Sequence, residues 1–128
     1  MNDADLSINL IHNNRQCAST FTLTSDDDYN TKKAQLILNE LRNEIKELPE
    51  DPYLIMPENL GSSDNSYKGK LLPYNEAADI LVPPMQGVDL SGIWASGTMF
   101  RANINSKGQK HWFSTETFSL DYSLITEA

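Results

Sequence analysis

Cysteine is nearly missing from this chain, basic residues are few, and long apolar runs do not occur. Cys17 stands alone among 128 residues, so no intrachain disulfide forms and stability must come from packing. That usage fits a reducing compartment, and a cytoplasmic protein is expected. Runs such as Ile80-Leu81-Val82 are far shorter than the roughly 20 apolar residues of a membrane-spanning helix, so no membrane span is expected. "MNDADLSINL" has no basic region ahead of an apolar core, so no secretory signal is read there.

Ten Lys and Arg face eighteen Asp and Glu, for a formal charge of −8. A surface that tracks phosphates needs clustered cations, and the best cluster is only Lys68 and Lys70. Direct nucleic-acid binding is therefore not expected. Such an acidic surplus can attract a basic partner or imitate a nucleic acid, but its plainest effect is to keep a protein in solution.

Catalytic signatures are also lacking. His12, Cys17 and His111 are the only imidazole and thiol groups, and their spacing matches no zinc site. Asp26, Asp28 and Asn30 match the first ligands of a calcium loop, but Thr31 replaces its glycine and Ile37 its final glutamate. Helix capping explains these acids better. "SYKGKLL" lacks the glycine spacing and the following Ser or Thr of a phosphate loop, and "GIWASG" is not a GxSxG elbow. His111 could activate Cys17 or a serine only if the fold brings them together. The reading is a protein without metal or cofactor, with no catalytic residue assigned, and non-enzymatic before enzymatic.

What is present describes a fold. The length suits a single α+β domain over 1–128. Leu6, Ile8 and Leu10 alternate with Ser7 and Asn9. Phe21 and Leu23 alternate with Thr20, Thr22 and Thr24. "HNNRQ" separates the two runs, so they read as an N-terminal β-hairpin. Ala34, Ile37, Leu38, Leu41, Ile45 and Leu48 follow helical spacing, behind the capping acids Asp26 to Asp28 and ahead of Pro49 and Pro52. This long amphipathic helix should pack on a mostly antiparallel sheet, completed by a long C-terminal β-hairpin. All six prolines lie between Pro49 and Pro84, so 49–91 reads as irregular. Short edge strands are expected there near Tyr53–Met56 and Tyr67–Leu72. "GSSDNS" at 61–66 reads as a mobile loop, and "YNEAADIL" at 74–81 as a short helix.

The C-terminal hairpin turns within "NINSKGQKHWF". A two-residue loop would force Lys107 as well as Gly108 to positive φ, which Lys tolerates poorly. A type I turn over Asn105-Ser106-Lys107-Gly108, with Gly108 as a left-handed bulge, suits the residues better. Asn105 then pairs with Gln109, and Ala102 faces Trp112. Trp94, Phe100, Ala102, Ile104, Trp112, Phe118, Leu120 and Tyr122 gather on one face, read as the core side. Met99, Arg101, Asn103, His111 and Phe113 share the other.

Two sites follow. Met99, Arg101, Asn103, His111 and Phe113 form a candidate interaction surface, since Arg and aromatics anchor interfaces. Trp94, Phe100, Trp112, Glu116 and Phe118 could line a ligand pocket, with Glu116 as a carboxylate among apolar groups. The leading expectation is a small acidic protein-binding module: an inhibitor, antitoxin or immunity-type protein, or an assembly subunit. Its partner is another protein or a second copy in a homodimer. A small-ligand-binding domain, possible enzyme included, is the alternative. A nucleic-acid mimic or basic-protein decoy comes third.

Overall fold

The structure is a computed structural model and describes residues 3–56 and 58–125. It is an α+β chain with an N-terminal hairpin, one long helix and a long C-terminal hairpin, as the sequence patterns require. The strands belong to two hydrogen-bonded sheets rather than one. The chain groups into two compact units, Met1–Pro57 and Glu58–Ala128.

In the first unit, β1 (Asp5–His12) pairs antiparallel with β2 (Arg15–Thr22), placing Leu6 opposite Phe21 and Leu10 opposite Cys17. Asn13 and Asn14 close the hairpin at φ 49° and 54°. A two-residue loop needs positive φ at both positions, and asparagine is the non-glycine residue best suited to it. Helix α1 (Asp27–Glu44) follows. Its N-cap Asp26 accepts a hydrogen bond from the Tyr29 N–H at 2.9 Å. Asn30 reaches back, accepting from the Thr24 N–H at 2.9 Å and donating to the Thr24 carbonyl at 2.8 Å. Asp26 and Asn30 are thus engaged in starting the helix.

The helix packs on β1 and β2. Ile37, Leu41 and Ile45 are buried with Cys17, and Ile8, Leu10, Phe21 and Leu48 pack around them. Burial of such aliphatic side chains contributes about 1.5–3 kcal/mol each. Past the helix the chain is tied back to the hairpin tip. Arg15 donates through Nε to the Leu48 carbonyl at 2.7 Å and through a terminal nitrogen to Glu50 at 3.0 Å. The Asp51 N–H bonds the Asn14 carbonyl at 2.7 Å.

The second unit is built on β4 (Asp89–Ile104) and β5 (Lys110–Ile125), sixteen residues each and antiparallel. The third strand, β3 (Ser63–Tyr67), pairs parallel with the start of β5, giving the order β3-β5-β4 with β4 on an edge. Thus "GSSDNS" is largely strand, not loop. The strand expected at Tyr53–Met56 does not form, because the Asp51 carboxylate takes the Tyr53 N–H at 2.9 Å and makes a turn. The strand expected at Tyr67–Leu72 begins four residues earlier and stops at Tyr67. Helix α2 (Ala77–Leu81) and a short 3₁₀ turn (Pro83–Met85) lead into β4. Among the described residues no helix is long and apolar enough to cross a membrane.

Candidate interaction surface

The turn between β4 and β5 sets which side chains share a face. Gly108 sits at φ 84°, and its N–H donates to the Asn105 carbonyl at 3.1 Å. The Asn105 N–H bonds the Gln109 carbonyl at 3.1 Å, and its side-chain oxygen accepts from the Lys107 and Gln109 N–H groups. This is the bulged turn that the residue chemistry predicts. Ala102 consequently faces Trp112, Phe100 faces Ser114 and Trp94 faces Leu120. Even-numbered residues of both strands therefore share one face and odd-numbered residues the other.

On the odd face, Asn103 stands opposite His111 and Arg101 opposite Phe113, with Met99 one step along beside Thr115. The five residues proposed as an interaction surface are thus neighbours. Strand β3 adds partners that sequence patterns do not reveal. Ser63 Oγ lies 2.8 Å from His111 Nδ1, and the Tyr67 ring tilts against Phe113 with centroids 5.8 Å apart. A serine and a histidine at hydrogen-bond distance have the parts of a nucleophile pair. Catalysis of that kind also needs the imidazole oriented by a third group. Among the described residues, His111 makes no other side-chain hydrogen bond. The pair serves to fasten β3 to β5.

On the even face, Phe100 and Trp112 stack with centroids 5.4 Å apart at an interplanar angle of 12°. Glu116 lies across from Thr98, and its carboxylate accepts the Gly69 N–H at 2.7 Å. A side chain thereby takes the backbone donor just beyond β3, which ends there. Ser114 donates to Ser66 at 2.9 Å, so the polar patch in this face is bonded to β3 and the residues following it. A groove of about 440 Å³ runs beside Trp112, lined also by Ser63, Asp64, Ala102, Ile104 and Lys110. Trp112 belongs to it. Phe100 touches Trp112, whereas Trp94, Glu116 and Phe118 lie further along the strands by register.

The sequence reading makes the even face a core, and here the structure differs. Trp94 is half-buried, but Trp112 is 41% exposed, Tyr122 62% and Phe118 67%. Among the described residues of the second unit only Ala77 is buried. Alternation makes one side of a sheet apolar, and the other described segments of its own unit do not cover it.

Cys17, the other candidate nucleophile, is buried under α1, with its thiol 3.5 Å from the Leu41 carbonyl. Burial pushes its pKa up, and the nearby Glu44 carboxylate adds to the effect. It behaves as a small apolar core residue. Among the described residues no three His, Cys, Asp or Glu side chains are grouped so as to hold a metal ion. Comparison with known proteins finds no matching family model, no matching curated protein and no matching solved structure.

Proposed function

We propose that the protein is a non-enzymatic interaction module that works through its C-terminal sheet, with an assembly subunit favoured over an inhibitor, antitoxin or immunity-type protein. One observation carries the reading: a face of two sixteen-residue strands, rich in aromatic and aliphatic side chains, lies open to solvent. Large contiguous apolar patches on a folded chain mark contact sites. The odd face adds Arg101, His111 and Phe113 in mutual reach, a composition suited to a polar rim. The acidic balance and the lack of a basic cluster argue for protein rather than nucleic acid as the partner.

The test places a photo-crosslinking phenylalanine analogue at Phe118, and separately at Thr20 on the polar side of the N-terminal hairpin, in the chain's own cells. A protein adduct formed from position 118 and not from position 20 is expected. No protein adduct from position 118 would overturn the proposal.

A further inference from the structure

Resting on that reading, we infer that the occupant of the even face is a second copy of this chain, packed sheet against sheet. Exposure is the first ground. Along the even face Trp112, Leu120, Phe100, Leu124, Tyr122 and Phe118 are 41–67% exposed. Apolar side chains left open in one continuous row form the kind of patch that contact with another molecule removes from water.

The dimensions of the face are the second ground. Sixteen residues at about 3.3 Å each make a two-stranded ribbon about 50 Å long and about 10 Å wide, which β3 widens by about 5 Å over its five residues. The footprint of about 600 Å² is about three-quarters of the roughly 800 Å² that each partner contributes to a standard interface. Stacking two such faces gives the aligned sheet packing of a β-sandwich, with each copy supplying one layer. Among the described residues of the C-terminal unit, no helix or second sheet forms such a layer on these strands.

Charge is the third ground. At −8 the chain repels its own copy, and the repulsion is smallest through surfaces without charge. Lys110 and Glu116 are the only charged even-numbered residues of β4 and β5, and Asp64 of β3 joins them beside Trp112. Glu116 is already hydrogen-bonded by Gly69, and Asp64 and Lys110 both lie at the turn end of the face. A face so poor in charge does not select a basic partner. It matches an equally apolar surface, and a two-fold axis supplies that surface from the same gene product.

The experiment is sedimentation equilibrium of the full chain at tens of micromolar, with Phe118→Asp and Leu120→Asp as even-face variants and Thr117→Asp as the control on the opposite face of β5. The wild type and Thr117→Asp should sediment at twice 14.4 kDa. Each even-face variant should weaken self-association by at least about tenfold, because it buries an unpaired carboxylate. A wild-type monomer that binds the apolar dye anilinonaphthalene sulfonate overturns the self-packing and leaves the interaction reading standing. A wild-type monomer that binds no dye overturns both. A dimer indifferent to both even-face variants places the contact elsewhere and overturns the inference. Should the aspartate variants fail to fold, crosslinking from position 118 between isotopically distinct copies decides. Adducts joining heavy to light chains at even-numbered residues support the inference, and their absence overturns it.

Discussion

The two hairpins of this protein obey the same alternation and meet opposite ends. In the N-terminal unit the inward face of β1 and β2 is covered by α1, and Leu41 is 2% exposed. In the C-terminal unit the even face of β4 and β5 is longer and richer in aromatics, yet Phe118 is 67% exposed. Periodicity therefore reports that a face requires cover. It does not report whether the cover is another part of the same chain or another molecule.

The largest expected effect tests that difference directly. Leu41→Ala should destabilise the N-terminal unit by about 3–5 kcal/mol, because the helix cannot collapse into the space left behind. Urea unfolding followed by far-ultraviolet circular dichroism reads the loss, which should not depend on protein concentration. Phe118→Ala should behave otherwise. Its cost should be several kcal/mol at high protein concentration and shrink toward zero on dilution, since it acts through association. Equal costs at every concentration would place Phe118 in an intrachain core and remove the contrast.

Smaller changes probe how each hairpin is set. Gly108→Ala puts a side chain at φ 84°, and a loss of about 1–2 kcal/mol is expected in thermal unfolding. Asp26→Ala removes the cap of α1 and should cost about 1 kcal/mol, confined to the N-terminal unit. Cys17 gives the slightest and most condition-dependent signal. Its folded pKa is raised, so the neutral thiol favours the fold fully below the ordinary thiol value of about 8.5. That contribution fades as the pH climbs through the raised folded value. Iodoacetamide should accordingly label Cys17 in the native chain far more slowly than in urea at pH about 8. Equal rates would show that the thiol is not under the helix.

Local chemistry was legible in the residues themselves. The spacing from Ala34 to Leu41 marks the helix and its buried side, and Asp26 marks its start. The helix ends at Glu44, so Leu48 joins the core from the turns beyond it rather than from the helix. Asn105 with Gly108 determines the C-terminal register, which brings Arg101 to Phe113 and Asn103 to His111. Strand β3 was not legible, because "SDNSY" has neither alternation nor apolar character. Its pairing is parallel and some 48 positions distant in the chain, held by contacts such as Ser63 with His111. Nor does any local pattern show that Asp51 turns the chain where a strand was expected, or that Glu116 ends β3 by taking the Gly69 N–H.

Strand β4 has a consequence for how this protein must be handled. It borders the sheet over sixteen residues, and its sequence contains no proline and no lysine, two devices that blunt such borders. Its outward N–H and C=O groups offer a template on which another extended segment can zip. Covering a face of the sheet leaves that border free, so growth sideways has no built-in end point. On heating or concentration the chain should therefore pass into ordered fibrils that bind thioflavin rather than into shapeless precipitate, and a lysine or proline placed on the outer side of β4 should delay them.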